Sequence, residues 1–349
     1  LYGDIGFGEA YVDGDWDTEN LKNVISWFLL NIENAPSISG SKRKLWMINL
    51  LKLGNKVTHL FRANTVEGSR KNISEHYDLS NKFFELFLDE TMTYSSGLFN
   101  FTENERSLTE AQFEKYDRLS RQLKLQESDH VLEIGSGWGG NAIHMARNYG
   151  CRVTTVTISE EQYKYAKALI AVEGLNHLIN IRLMDYRNIE GTFDKIVSIE
   201  MLEAVGHNFL EGYFSKCQQL LKKDGLLALQ VITCPESRYD QLRGDVDWIQ
   251  KYIFPGSLLP SISAITNAVN KTGEMTLCDL KEMGLHYAKT LHIWRDEFNN
   301  KLAEVRKLGF DNTFIRKWNY YLSYCEAAFA MRNINVMQFT FTRPNNTSM

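Results

Sequence analysis

No stretch of this 349-residue chain approaches the roughly 18 consecutive apolar residues that a membrane-spanning helix needs. Positive charge is not in excess either. The 39 Lys and Arg stand against 43 Asp and Glu, a net charge of −4. Phosphate binding leaves a basic footprint, so nucleic acid is excluded as the main partner. Cysteine is sparse and scattered: Cys151, Cys217, Cys234, Cys278 and Cys325 form no C-x-x-C pair. An odd count in so long a chain fits free thiols in a reducing compartment, and no metal site is expected. No signal-peptide pattern opens the sequence, and no internal repeat or low-complexity tract interrupts it. The chain begins at Leu1, so further sequence is expected ahead of it.

What is present suits a packed globular protein, with 44% hydrophobic and 12% aromatic residues. The length allows one large or two modest domains. Residues 1–125 read as helical and irregular. Leu21, Val24, Ile25, Phe28, Leu29 and Ile32 recur at helical spacing and predict an amphipathic helix over Glu19–Ile32. A second is expected over Ser41–Leu53, where basic residues sit beside Leu45, Trp46, Ile48, Leu50 and Leu51. Core packing is the default for such helices, and a lipid-facing surface is the alternative. The basic clusters Lys42-Arg43-Lys44 and Arg70-Lys71 are solvated faces or contacts for anionic lipid. Asn72-Ile73-Ser74 and Asn100-Phe101-Thr102 match the glycosylation sequon, a pattern short enough to recur by chance.

From Glu127 onward strands and helices alternate. Strands are expected at His130–Ile134, Arg152–Val156, Ile179–Leu183, Phe193–Ile199 and Leu226–Ile232. Helices are expected at Gly140–Tyr149, Ser159–Glu173 and Leu210–Leu221. That series implies an α/β fold with a doubly wound parallel sheet, whose ligands sit at the carboxyl ends of strands. Gly135, Thr157, Asp185, Glu200 and Gln230 all fall there. Residues 234–272 break the series with aromatic, helical sequence and read as a cap over a substrate. Helices at about His286–Leu308 and Asp311–Met331 precede a closing strand over 336–342, expected to run antiparallel. The tail from Asn345 is expected to fray.

The first strand runs into Glu133-Ile134-Gly135-Ser136-Gly137-Trp138-Gly139-Gly140. Glycines at such a turn leave room for a ligand against the backbone. The spacing departs from the G-x-G-x-x-G form that cradles a pyrophosphate. With Glu133 two residues ahead, it resembles motif I of class I S-adenosylmethionine (SAM) methyltransferases. Past the second strand, Thr157, Ser159 and Gln162 offer hydroxyl and amide groups to a ligand. Ser159 and Gln162 also form a capping box for the following helix, and both readings stand. Asp185 closes the third strand, either as an acceptor for an adenine amino group or as a plain strand-end turn.

Several segments resemble the cyclopropane fatty acid synthases and the mycolic acid cyclopropane synthases. They are His76-Tyr77-Asp78-Leu79-Ser80 with the sequence through Tyr94-Ser95-Ser96, and Glu200-Met201-Leu202-Glu203-Ala204-Val205-Gly206-His207. Lys251-Tyr252-Ile253-Phe254-Pro255-Gly256, His286-Tyr287 through Trp294, and Tyr320-Tyr321 through Glu326 match further, as does Gly6-Phe7-Gly8-Glu9 at the start. The resemblance implies a Rossmann-like class I SAM methyltransferase sheet (126–349) with a helical cap insertion at about 234–272. Ahead of it, residues 1–125 would form a helical lipid-interaction region containing the segment that leads into the SAM site. It places Tyr77, Tyr94, Gly135, Gly137, Trp138, Gly139, Thr157, Ser159, Gln162 and Asp185 around SAM.

The implied reaction is methylene transfer to the cis double bond of an unsaturated phospholipid acyl chain. A carbocation forms on the chain, and aromatic faces can stabilise it without trapping it. Phe99, Phe254, Tyr287 and Tyr321 are the residues proposed for that task. In the family a bound bicarbonate then removes a proton and the ring closes. Its ligands carry over as Ser96, Glu203, Gln230, Ile232 and Tyr287. Ser96 stands in place of a cysteine, its hydroxyl expected to donate to the anion. Gln230 stands in place of a histidine, and its amide can orient an anion but cannot titrate. Glu203 is expected to accept the bicarbonate proton, with Glu200 as its neighbour. Two alternatives remain: methyl or methylene branching of the chain, and N-methylation of a small molecule. The resemblance implies a cytoplasmic enzyme in peripheral contact with the membrane, with a homodimer left open.

Overall fold

The computed structural model describes residues 3–31, 79–102 and 107–347. Tyr77, the expected helix Ser41–Leu53, both basic clusters and the sequon at Asn72 lie outside the described residues. The remaining architecture is a three-layer α/β sandwich with helices gathered over one end of its sheet.

Ten longer helices appear in chain order among the described residues. They are α1 (Gly3–Asp13), α2 (Leu21–Leu30), α3 (Leu108–Gln122), α4 (Gly140–Tyr149), α5 (Glu160–Val172), α6 (Leu210–Leu220), α7 (Glu236–Gly244), α8 (Ile262–Thr272), α9 (Gly284–Asn300) and α10 (Asn312–Ala330). The strands are β1 (His130–Ile134), β2 (Arg152–Thr157), β3 (Ile179–Leu183), β4 (Phe193–Ile199), β5 (Leu221–Thr233), β6 (Thr276–Glu282) and β7 (Asn335–Thr342). They form a seven-stranded sheet in the order β3-β2-β1-β4-β5-β7-β6. The first five run parallel, and β7 inserts antiparallel between β5 and β6.

Alternation of side chains along the strands explains the layers. Leu132, Ile134, Leu227, Leu229 and Phe339 face one way and pack against Tyr213 and Phe214 of α6 and Ile265 and Val269 of α8. Val131, Val153, Val197 and Ala228 face the other way, against Leu119 of α3, Met145 of α4 and Ile170 of α5. The β1/β4 crossing is where the strand order reverses, so the carboxyl ends open into a crevice there.

Strand β6 is absent from the reading of the sequence. Thr276-Leu277-Cys278-Asp279-Leu280-Lys281-Glu282 is an edge strand, mostly exposed and bonded only to β7. A strand with so little to bury carries a weak apolar signal. Within the expected cap, Ile262–Thr272 is a sheet-covering helix whose Ile265, Ala268 and Val269 join the core beside α6. The portion that faces the crevice is α7 and the segment through Leu259.

The third core is helical and aromatic. Phe83, Phe84 and Phe87 meet Trp294 and Phe298 of α9 and Trp318 and Tyr320 of α10. The expected helix over Glu19–Ile32 appears as α2, started by Asn20, whose side chain accepts from Asn23 N. Leu21 and Ile25 are buried, while Trp27 is 60% exposed among the described residues. Glu326 of α10 draws three helices together. It is buried and pairs with Arg295 of α9, with Lys22 of α2 at 3.2 Å and with His292 at 3.5 Å. Arg295→Ala should therefore lower stability by about 2 kcal/mol, read as a fall in Tm, since it strips a partner from a dehydrated carboxylate. Arg295→Lys should recover most of the loss. An unchanged Tm in Arg295→Ala would show that Lys22 and His292 hold Glu326 unaided.

Candidate active site

A cavity of about 560 Å³ opens at the carboxyl ends of β1, β2, β4 and β5. Its floor begins with the glycine turn. Gly135, Gly137 and Gly139 have φ of +96°, +48° and +98°, a left-handed region that L side chains disfavour. Gly135, Gly137 and Trp138 line the cavity. Gly139 does not; it is the N-cap of α4, and a Cβ there would sit 3.2 Å from Ala166 Cβ. The Trp138 indole N–H donates to Asn81 Oδ1 at 2.7 Å and fixes the ring beside Phe84.

Glu133 is buried beneath the turn and accepts from Asn141 Nδ2 at 2.8 Å and from Thr155 Oγ1. Burial raises its carboxyl to about 7, against the pull of those two donors and of Lys115. Thr157 Oγ1 donates to Gln162 Oε1 at 2.9 Å and accepts from Ser159 N at 3.1 Å. Thr157 and Gln162 line the cavity, whereas Ser159 caps α5 through Gln162 N. The Ser159 hydroxyl accepts this one bond and keeps its own proton to donate. Asp185 lines the cavity with both carboxylate oxygens turned to Arg187, at 2.8 Å to Nε and 2.7 Å to Nη2. No metal-holding cluster of His, Cys, Asp and Glu occurs among the described residues.

The opposite wall carries the chemistry of an anion. Glu200 follows the last residue of β4 with φ +48°, a strained backbone for a residue with a Cβ. Its carboxylate Oε1 accepts from Ser96 N at 3.0 Å and from Gln230 Nε2 at 2.7 Å. The Tyr287 hydroxyl lies beside the same carboxyl and favours its charged form. Gln230 cannot flip, because its Oε1 accepts from Gln338 Nε2 at 2.9 Å. Gln338 in turn accepts from Arg118 Nη1 at 2.9 Å. Gln230 and Gln338 are direct register partners on β5 and β7.

Lys115 supplies charge balance from behind. It is fully buried on α3 and donates to Ser95 Oγ at 2.8 Å, while Gln112 Nε2 donates to Ser95 O at 2.9 Å. The two residues clamp the peptide whose next N–H bonds Glu200. Burial pushes the Lys115 ammonium down, and the Glu200, Asp89 and Glu133 carboxylates pull it back up. Glu200 itself is raised above the usual carboxylate range by burial, although Ser96, Gln230, Lys115 and Tyr287 all oppose the shift.

Glu203 lies in the turn after β4. Its Oε1 accepts from Ile232 N, and its buried Oε2 has no partner among the described residues. Burial, then the charge of Glu200, raises it to about 8. Four rings, Tyr94, Phe254, Tyr287 and Tyr321, complete the wall. Tyr94 Oη and Tyr321 Oη are 2.8 Å apart, and Tyr94 stacks on Trp294 at 5.2 Å. Tyr287 stacks on Phe329 at 4.5 Å. Phe99 is not among the lining residues; it is buried in the helical core with Lys289 over its ring.

The residues expected to hold bicarbonate therefore converge, but on a protein carboxylate. Ser96 contributes its backbone N–H; its hydroxyl donates to Gly97 O at 2.9 Å, contrary to the expected role. Gln230 Nε2 donates to Glu200, the Tyr287 hydroxyl lies beside that carboxyl, and the Ile232 N–H is taken by Glu203. These donors are already engaged by the protein's own acids, Ser96 N and Gln230 Nε2 by Glu200 and Ile232 N by Glu203, so a further anion would meet the Glu200 charge without them. Sequence reasoning named Glu200 only as a neighbour. Gln338, Arg118 and Lys115 escaped it, and the available signal was a glutamine at a buried position of an apolar strand.

The mycolic acid cyclopropane synthetase family model matches residues 65–339. The tuberculostearic acid methyltransferase UfaA1 of Mycobacterium tuberculosis is 39% identical over 98% of this chain and 79% of its own length. The cyclopropane-fatty-acyl-phospholipid synthase of Escherichia coli is 35% identical over 98% of this chain and 84% of its own. The crystal structure of the mycolic acid cyclopropane synthase CmaA1, complexed with SAH and CTAB, superposes with a TM-score of 0.72. It is 29% identical and covers 78% of this chain and 98% of that one. On the extent of these matches, the chain belongs to the mycolic acid cyclopropane synthetase family of SAM-dependent methyltransferases.

Proposed function

We propose that this enzyme methylates the cis double bond of an unsaturated phospholipid acyl chain, and that Glu200 is the base that ends the reaction in place of bicarbonate. The observation that carries the reading is the Glu200 carboxylate bonded to Ser96 N and Gln230 Nε2, with Tyr287 beside it, at the positions expected for the external anion. SAM, when bound, supplies an electrophilic methyl group; Tyr94, Gly135, Gly137, Trp138, Thr157, Gln162 and Asp185 are the lining residues suited to hold it.

The protein must do three things. It must bring a weakly nucleophilic alkene to near-attack distance. The apolar end of the cavity, with Phe7, Ile25, Phe28 and Leu29 from α1 and α2, suits an acyl chain. It must carry a positive charge without water, which the rings of Tyr94, Phe254 and Tyr321 and the nearby Glu200 charge do electrostatically. It must then take a proton from the transferred methyl. Raised proton affinity makes Glu200 an effective base, and the fixed amide of Gln230 keeps its oxygen aimed. Proton removal before any hydride shift closes a cyclopropane ring. Removal after a shift leaves a methylene branch, a second reading favoured by the likeness to the tuberculostearic acid methyltransferase. Peripheral contact with a membrane follows from the substrate, since among the described residues no helix is long and apolar enough to cross one.

The first test is mass spectrometry of cis-unsaturated phospholipid vesicles incubated with enzyme and SAM, with and without bicarbonate. A gain of one CH2 per chain, at a rate independent of bicarbonate, is expected; NMR separates ring from methylene protons. A rate that needs bicarbonate would remove Glu200 from the role of base. Glu200→Gln should cost about 10²- to 10⁴-fold in kcat while SAM affinity by calorimetry stays within error.

The pH profile follows from the two carboxyls. Glu200 must be ionised, so activity is lost as pH falls through its raised range, above that of an ordinary carboxylate. Glu203 must stay neutral, since its ionisation would repel Glu200 from its donors, so activity declines as pH rises through about 8. Glu203→Gln, which cannot ionise, should retain activity and lose the alkaline limb. A wild-type profile still climbing above about 8 would instead make ionised Glu203 the stabiliser of the cation.

A further inference from the structure

We propose that Arg238 forms an anion subsite that receives the phosphodiester of the lipid whose acyl chain occupies the cavity. The inference rests on the reading above that the substrate is a phospholipid. Two arginines line the cavity among the described residues. Arg187 is spent on Asp185 through two contacts of 2.7 and 2.8 Å. Arg238 is half-buried and has no carboxylate partner and no side-chain hydrogen bond among the described residues. A guanidinium that lines an apolar and acidic cavity without a counter-ion has given up some of its hydration for no return inside the protein.

The arginine is also held in place. Its helix α7 is tied to the turn after β4 by His207, whose Nδ1 bonds Tyr239 Oη at 2.6 Å and whose Nε2 lies 2.8 Å from Arg243 Nη1. Arg243 further pairs with Asp240 at 3.3 Å. One face of α7 is thus pinned to the sheet while Arg238 turns to the cavity. Position assigns the anion to the substrate rather than to SAM. The glycine turn, Thr157 and Asp185 follow β1, β2 and β3, whereas Arg238 follows β5, across the strand-order reversal. A fatty chain offers an anion only at its head. Phosphate oxygens match the planar fork of a guanidinium, and such charge-assisted bonds are among the stronger ones available.

The test uses the full chain with lipids in non-ionic detergent micelles, so that the surface stays constant. Rates are measured on a cis-unsaturated phosphatidylglycerol and on the uncharged diacylglycerol with the same chains, for wild type, Arg238→Gln and Arg238→Lys, with SAM affinity by calorimetry and Tm as a folding control. Arg238→Gln should raise KM for the phospholipid about tenfold or more with kcat little changed, and Arg238→Lys should fall between. SAM affinity should hold, and the variant should no longer prefer phospholipid over diacylglycerol. An unchanged phospholipid KM, or an equal loss on both lipids, overturns the subsite. Weakened SAM binding with lipid KM intact overturns it by assigning Arg238 to the cofactor carboxylate. A wild type that binds SAM but modifies neither lipid defeats the phospholipid reading itself, and the subsite with it, before any variant is compared.

Discussion

A carboxylate held partly buried in the wall of the cavity sets the terms for the rest of this structure. Burial favours its proton, and a base must be able to lose it again. Glu200 resolves the conflict with fixed donors on one side, Ser96 N and Gln230 Nε2, and a buried ammonium, Lys115, behind them. Each donor needs its own support. Ser96 is positioned through Ser95 by two residues of α3, and Gln230 through β7 by Gln338 and Arg118. The sheet, the helix on its face and the loop ahead of that helix are thereby committed to one oxygen atom. The strained φ at Glu200 shows the same commitment in the backbone.

The fold was legible where burial repeats with a period. β1 to β5 and their helices follow from apolar runs, and α2 from a helical stripe. The edge strand β6 was not, because an exposed strand has little to alternate. The cofactor side was legible as well, since glycines that leave room for a ligand are visible as glycines. The anion site was legible only as a set of positions. Ser96, Gln230, Ile232 and Tyr287 were named and do converge, but their target was taken to be a small ion. What occupies the centre depends on where Glu200 points, and a left-handed φ at a glutamate leaves no mark on the sequence. Ser96 was credited with the wrong atom for a related reason: a side chain can be read from a sequence, whereas a backbone N–H is the same at every position.

Two acids three residues apart divide the labour by environment. Glu200 has donors and stays a base; Glu203 has one backbone donor, an unpartnered oxygen and a raised affinity for its proton. Burial raises both carboxyls, and the charge of Glu200 raises Glu203 further, so the pair resists carrying two negative charges at once. In the proposed reaction one charge suffices to face the cation, and a second would draw in water or a counter-ion, which would compete for that cation.

The placement of β7 bears on how the site is held. It is the last strand of the sheet in chain order, yet it lies between β5 and β6. Without it, β6 has no neighbour, Gln230 has no partner to orient its amide, and Glu200 lacks a fixed donor. The glycine turn makes no use of β7, whereas the amide that holds the proposed base does. The closing strand of the sheet is thus also the outer support of the site, and a disturbance at that edge reaches the base without touching the cofactor side.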